Sequence, residues 1–298
     1  MQKLKAILTI IRFPNLVFIA LTQILTYYCL ILPSITTPTL TTFQFSLLTL
    51  STVLIATAGY IINDYFDIGI DAVNKPQKVT IENVFKRRTI ILWHIGLNVI
   101  ALIIAGKIAY HYIQFRMLGF QLFSILLLVL YSTTLKRKLI IGNFSIAVLT
   151  ALTLITTAIY EPNFRFWDPS QHRAKLFWVY VIFAFLITII REIIKDIEDI
   201  KGDAIQQCKT IPLVWGINSS KNIIYGLLTI LFLFLITVGF VFVHSNLIMI
   251  CFLGVFVFLP LIWLSRMLFK AQIKADFHAL SSMIKWITLM GILSMLLI

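Results

Sequence analysis

The sequence has too few charged residues to cover the surface of a water-soluble domain. Only 12% of its 298 residues are charged and 60% are hydrophobic, whereas soluble proteins average roughly 25% charged and about 45–50% apolar residues. Cysteine is also scarce. The three cysteines show no metal-binding spacing, and we expect them to be unpaired. This composition excludes an ordinary soluble fold and favours a protein whose solvent is lipid.

Nine apolar segments are long enough to cross a bilayer, whose hydrocarbon core of about 30 Å requires roughly 20 apolar residues in a helix. They lie near residues 11–32, 44–65, 89–108, 116–132, 142–160, 176–194, 222–243, 246–265 and 279–298. They are too long for barrel strands and do not alternate with period 2. The sequence therefore predicts an all-α membrane protein. The first segment is expected to be retained, because Arg12 interrupts it and no small-residue cleavage site follows.

The basic residues are unevenly distributed between the two sides of the predicted membrane. The chain has 25 lysine and arginine residues and a formal net charge of +13. If the N-terminus is cytoplasmic, 20 of the 25 lie in cytoplasmic segments. Such a bias follows the positive-inside rule and predicts an N-in, C-out orientation. It also explains the net charge without a nucleic-acid partner.

Eight of the 12 acidic residues fall in two short segments. These residues are Asp64, Asp67 and Asp71 at the end of the second span, and Glu192, Asp196, Glu198, Asp199 and Asp203 at the end of the sixth. Both segments contain aspartates at i, i+3 and i+7, so a helix continuing through either would place three carboxylates on one face. The offset from Asp64 to Asp196 is 132 residues, and it recurs for the other two pairs. This predicts an internal duplication with halves at roughly 1–132 and 133–298.

Carboxylates gathered from two such segments require a counter-cation to ionise together. Mg²⁺ typically takes one or two carboxylates together with substrate phosphates and water. We therefore expect two Mg²⁺ ions with a diphosphate between the segments. The predicted ligands are Asp64, Asp67, Asp71, Asp196, Asp199 and Asp203. Solvated helix ends with incidental acids, or cation-coupled transport, are the alternatives.

Several basic residues near the predicted inner face are candidates to contact this diphosphate. They are Arg12, Lys78, Lys136, Arg137 and Lys195, with Asn15 beside Arg12. Lys136 and Arg137 would clamp the leaving group through charged hydrogen bonds, although positive-inside charge alone also explains them. Arg12 would otherwise extend to the interface. Tyr131, next to the basic loop, is the aromatic residue best placed to stabilise a carbocation through its π face.

Two longer runs that contain these residues resemble the signatures of a known family. Asn63-Asp64-x-x-Asp67-x-x-x-Asp71, followed by Asn74-Lys75-Pro76, resembles the first signature of the UbiA superfamily of intramembrane prenyltransferases. The run from Arg191 to Asp203, continued by Lys209-Thr210-Ile211-Pro212, resembles the second. The chain departs from the family after the first run, where a second proline and a glycine are missing. It departs again at Gln207, where relatives usually have glycine.

The resemblance, which covers essentially the whole chain, implies a single domain over residues 1–298. Nine helices would form a ring around a central cavity open sideways to lipid. Cytoplasmic cap loops at about 67–88 and 196–221 would cover the diphosphate, and Asn63 would belong to the substrate site. The implied location is the plasma or inner membrane, with the active site facing the cytoplasm and no protein partner required.

The implied activity is Mg²⁺-dependent transfer of a prenyl group from a prenyl diphosphate to a lipophilic acceptor in lipid biosynthesis. The second signature is most similar to the branch that contains geranylgeranylglycerol-phosphate geranylgeranyltransferase, so a glycerol-phosphate lipid is the expected acceptor. The alternatives are an aromatic or quinone-precursor prenyltransferase, a UbiA-type terpene cyclase and a cation-coupled transporter.

Overall fold

The computed structural model describes residues 2–69, 73, 85–243 and 246–298, and it contains helices and loops but no strand in this part of the chain. The helices are α1 Gln2–Ile10, α2 Phe13–Ser34, α3 Thr42–Phe66, α4 Arg87–His111, α5 Arg116–Thr133, α6 Ile141–Ile159, α7 His172–Glu198, α8 Ile200–Ile205, α9 Ile211–Val243, α10 Leu247–Lys270 and α11 Lys274–Leu297.

Nine of the described helices, all except α1 and α8, are long and apolar enough to cross a membrane. The prediction of an all-α protein with about nine spans is therefore confirmed, and the chain is an integral multi-pass membrane protein. The seventh span differs from the prediction because α9 begins at Ile211 rather than near residue 222. Pro212 lies in its first turn, where proline is tolerated. Gly216 then interrupts the helix with a φ of 82°, a conformation that favours glycine.

The helices pack around α3 and α7. Helix α3 packs against α4 and α5, whereas α7 packs against α6, α9 and α11. Large apolar side chains on the outer helices, such as Leu92, Ile103 and Phe123, are exposed. In a membrane protein these surfaces face lipid, so their exposure has no hydrophobic cost.

Two close contacts deep in the bundle hold α11 against α7. The hydroxyl groups of Tyr180 and Ser294 are 2.8 Å apart. One turn away, Gly291 packs against the ring of Phe183, and a Cβ atom added to the glycine would lie 2.4 Å from Cε1 of that ring. The later residue of α11, Ser294, contacts the earlier residue of α7, Tyr180, whereas Gly291 contacts Phe183. The two helices are therefore antiparallel, with a defined register.

Both helices that carry the acidic segments end one residue before the second aspartate of the segment. Helix α3 ends at Phe66, and Asp67 follows with φ −94° and ψ 2°. Helix α7 ends at Glu198, and Asp199 follows with φ −99° and ψ 9°. One regular helix does not continue through either segment, because Asp67 and Asp199 leave helical geometry. The same break recurs 132 residues apart, as a duplication would produce, but the duplication itself stays a prediction.

Candidate active site

A central cavity of about 620 Å³ lies between the membrane-spanning helices and is lined by most of the predicted site residues. Those that line it are Arg12, Asn15, Asn63, Asp64, Asp67, Tyr131, Lys136, Lys195, Asp196, Asp199 and Asp203. Asp71 and Lys78 lie outside the described residues. Arg137 is described, but its side chain is exposed and is not among the lining residues. Its contact with substrate stays a prediction.

Asp64 of the first segment is paired with Arg12. Arg12 immediately precedes α2 in a left-handed conformation with φ 52°, and its Nη2 donates to Asp64 Oδ1 at 2.8 Å. The guanidinium also lies 5.0 Å from the centre of the Tyr60 ring. Burial by itself lowers the pKa of Arg12, but the charges of Asp64 and Tyr60 and the hydrogen bond outweigh it, so the pKa is raised. Arg12 is therefore a permanent cation of the cavity.

One carboxylate oxygen of Asp67 contacts two side chains. Nδ2 of Asn63 donates to Asp67 Oδ2 at 2.7 Å, and the ammonium of Lys136 forms an ion pair with the same oxygen. Lys136 reaches it because its loop lies tightly against the start of α6. A Cβ atom added to Gly142 would be 3.1 Å from both the carbonyl oxygen of Leu135 and the Cα atom of Lys136. A glycine at this position therefore allows the close approach that places Lys136.

Asp196 of the second segment is bound by an amide rather than by a cation. Nδ2 of Asn143, near the start of α6, donates to Asp196 Oδ2 at 2.7 Å. Sequence reasoning did not include Asn143 in the site. Asn143 lies 53 residues from Asp196 along the chain, so only the packing of α6 against α7 brings the two together.

The loops after the two segments meet at the end of the cavity. A Cβ atom added to Gly69 would lie 2.6 Å from Nε2 of Gln206, so the first loop touches the second. Gln207, where relatives usually have glycine, has a φ of 54°, in the left-handed region that favours glycine. The next residue, Cys208, donates its backbone N–H to the carbonyl of Asp203 at 2.9 Å. Burial, and secondly the charge of Asp203, raise the pKa of the Cys208 thiol.

Tyr131, near the end of α5, lines the same cavity as Asp64, Asp67, Asp196 and Asp199. The aromatic ring predicted to stabilise a carbocation therefore shares a cavity with aspartates of both acidic segments.

Lys195 pairs with Glu192 and not with an aspartate of the predicted metal site. Its Nζ lies 3.1 and 3.0 Å from the two carboxylate oxygens of Glu192. Nη1 of Arg191 donates to the same carboxylate at 3.0 Å. Arg191 and Glu192 were not among the predicted site residues, although the sequence places Glu192 one turn inward on the acidic stripe.

The last span contributes a polar face that sequence reasoning missed. His278, Ser281 and Lys285 of α11 line the cavity, and His278 Nδ1 lies 2.9 Å from Oε1 of Glu198. A signal was present in the sequence, because these three polar residues recur at i, i+3 and i+7 and so share one face of the span. Polar and ionisable residues within a span generally face the bundle interior.

Asp64, Asp67 and Asp196 are held by protein partners in this structure, whereas Oδ1 of Asp199 is buried and has no hydrogen-bond partner. Among the described residues, no three Asp, Glu, His or Cys side chains form a group that would hold a metal ion. The donor chemistry fits a hard divalent cation, because carboxylates of both segments line one cavity. In addition, Asn63 Oδ1 is buried beside Asp67 and accepts no hydrogen bond. Its lone pairs are available to a cation or to water bound to that cation.

The arrangement combines hard anionic ligands with cations inside an apolar bundle. Such a site can bind a diphosphate through a divalent cation and through Lys136 and Arg12. The deeper part of the cavity is lined by apolar side chains such as Phe18, Leu152 and Ile292, which suit a hydrocarbon chain.

Comparison with known proteins agrees with this chemistry. Residues 20–289 match the model of the UbiA prenyltransferase family. A digeranylgeranylglyceryl phosphate synthase from Thermococcus sibiricus is 38% identical over 175 residues, which are 58% of this chain and 57% of that protein. The matched part thus spans a little more than half of the relative's length.

Two solved structures share the fold. A structure of digeranylgeranylglyceryl phosphate synthase has a TM-score of 0.69 at 22% identity and covers 99% of this chain and 98% of its own. A UbiA homolog from Archaeoglobus fulgidus, bound to GPP and Mg²⁺, has a TM-score of 0.64 at 13% identity, with 97% and 99% coverage. Because the family model matches most of the sequence and the fold agrees along its length, the chain belongs to the UbiA prenyltransferase family.

Proposed function

We propose that this protein is a Mg²⁺-dependent intramembrane prenyltransferase that moves a prenyl group from a prenyl diphosphate to a glycerol-phosphate lipid. The observation that carries the proposal is the meeting of two aspartate-bearing helix ends, with Lys136 and Arg12, at one end of a cavity whose depth is largely apolar. Family membership, the GPP and Mg²⁺ bound by the A. fulgidus homolog and the name of the T. sibiricus relative support it.

The aspartates of both segments would hold the cation, with Asn63 Oδ1 contributing directly or through water. When bound, Mg²⁺ would neutralise the negative charge that develops on the diphosphate leaving group. Lys136 and Arg12 now pair with Asp67 and Asp64, and they would turn toward the diphosphate once the cation compensates those carboxylates. Their charged hydrogen bonds then stabilise the departing oxygen.

The bond that breaks is the one between C1 of the prenyl chain and the diphosphate oxygen. The hydroxyl oxygen of the acceptor forms the new bond to C1, and its proton passes to the released diphosphate or to a cavity carboxylate. The face of Tyr131 would stabilise the allylic cation that develops at C1. The surrounding helices exclude bulk water, which would otherwise capture that cation.

Product analysis tests this function. Purified protein is incubated with Mg²⁺, geranylgeranyl diphosphate and, in parallel, geranylgeranylglyceryl phosphate, an aromatic acceptor or no acceptor. We expect a prenylated glycerol-phosphate lipid by mass spectrometry. A prenylated aromatic product alone would contradict the proposed acceptor. A hydrocarbon formed without acceptor would indicate a cyclase, in which a double bond of the same chain acts as the nucleophile.

The proposal includes an orientation in the plasma or inner membrane with the acidic end of the cavity toward the cytoplasm. Its basis is the 20-to-5 division of lysine and arginine residues. Single cysteines at positions 138 and 168 are introduced into a variant without the native cysteines. In intact cells, an impermeant maleimide should label position 168 only, and position 138 should react after permeabilisation. Labelling of both positions in intact cells would contradict the nine-span topology.

A further inference from the structure

A second cluster of charges lies along α7, toward the membrane interior from the aspartates. Arg191 and Lys195 both bond to Glu192, so two cations share one carboxylate. Nε of Arg191 is buried and has no hydrogen-bond partner. Both cationic side chains line the central cavity. This part of the cavity therefore has hydrogen-bond donors and positive charge beyond what Glu192 satisfies.

Lys285 of α11 is a third cation at about the same depth in the bundle as Arg191. The contact between His278 and Glu198 joins α11 to α7 near the acidic end of the cavity. Lys285 lies seven residues further along α11, and Arg191 lies seven residues back along the antiparallel α7. At 1.5 Å per residue, both are about 10 Å from that contact. The deeper contacts of Tyr180 and Phe183 with α11 agree with this register to within two residues, and Lys285 also lines the cavity.

Glu192 is the one carboxylate that Arg191 and Lys195 share, and the buried Nε of Arg191 still has no acceptor. An anion with several acceptor oxygens would satisfy that donor and add a counter-charge for the two cations. A phosphate monoester carries about −1.5 to −2 charges near neutral pH and three acceptor oxygens. Guanidinium and ammonium groups are its usual partners in proteins.

We propose that Arg191, Lys195 and Lys285 form a second anion site, separate from the predicted metal site, that binds the phosphate of the acceptor lipid. The inference rests on the proposed function, since it assigns the acceptor of that same cavity. Glu192 holds Arg191 and Lys195 in place and is a positioning residue. Along α7, Lys195 precedes Asp199 by about 6 Å. A phosphate held here leaves the acceptor's hydroxyl group near the diphosphate held by the aspartates.

Arg191, Lys195 and Lys285 would also suit the diphosphate of the prenyl donor. Binding measurements distinguish a site for the acceptor phosphate from a site for that diphosphate. Affinities are measured in nanodiscs, without turnover, for geranylgeranyl diphosphate, geranylgeranylglyceryl phosphate and the latter's dephosphorylated alcohol. The variants are Lys285→Met and Arg191→Lys. Lys175→Met is the control, because Lys175 is an exposed lysine at the opposite end of α7. An unchanged thermal unfolding midpoint shows that each variant is folded.

We expect Lys285→Met to weaken binding of the phosphorylated lipid by about ten- to a hundredfold, the scale of a lost charged hydrogen bond. Arg191→Lys should cause a smaller loss of that affinity, because lysine keeps the positive charge. A loss should remain, because an ammonium cannot reproduce the forked guanidinium geometry. Binding of the alcohol and of geranylgeranyl diphosphate should change little, and Lys175→Met should match the wild type. A selective loss of diphosphate binding would overturn the assignment, and so would equal losses for the lipid and its alcohol.

Failure of the proposed function gives a different result. If the wild type binds the phosphorylated lipid and Lys285→Met loses that preference, the anion site stands even when no prenyl transfer is detected. If the wild type transfers prenyl groups but does not distinguish the phosphorylated lipid from its alcohol, the anion site is wrong and the enzyme activity stands.

Discussion

The variant Asp67→Asn is expected to lose kcat by about 10²- to 10³-fold, the cost typical of removing one preorganised electrostatic contact at a reacting group. Asp67 is buried and receives both Asn63 and Lys136 on one oxygen. Asparagine preserves the shape of the side chain but removes its charge. The predicted cation then loses a ligand, and the charge on the leaving diphosphate is less compensated.

Steady-state assays with geranylgeranyl diphosphate and geranylgeranylglyceryl phosphate measure this effect. Asp168→Asn is a matched control, because Asp168 lies in the loop between α6 and α7 and its side chain accepts hydrogen bonds from Ser170 there. We expect the control to retain wild-type kcat. If Asp67→Asn turns over at the wild-type rate while folded, the first acidic segment has no part in catalysis. We expect similar losses for alanine at Asp64, Asp196 or Asp199.

Removal of divalent cations is expected to abolish turnover completely. The physical reason is that the lining carboxylates and the diphosphate are all anionic, so their approach is unfavourable without a cation between them. Protein treated with excess chelator is assayed, and its metal content is measured. Added Mg²⁺ should restore activity, whereas added Na⁺ at equal ionic strength should not.

The unfolding midpoint of the protein provides the control for chelation. Asp64, Asp67 and Asp196 have protein partners without a cation, so the fold should persist when metal is removed. Full turnover by metal-free protein would disprove the metal role of both acidic segments. Loss of the fold would mean that the cation is structural.

The sequence by itself determined that this protein lies in a membrane and which two segments carry its candidate site. Apolar segments of membrane length can satisfy their backbone only as helices, so the nine spans were predictable from composition and length. Acidic residues are few and costly in a membrane protein, and their clustering around Asp64 and Asp196 located the candidate site. These features are local along the chain, which is why they could be predicted without coordinates.

Only the tertiary structure decided the partner of each charged side chain. The contact predicted for Arg137 stays a prediction, and Asn143 and Lys285, which the sequence did not single out, line the cavity. The helix breaks at Asp67 and Asp199 were not predicted either. Helical spacing determines which residues share a face, but it does not specify which neighbouring helix that face meets. That choice depends on packing between segments far apart in sequence, such as Gly291 against Phe183 and Gly142 against Lys136.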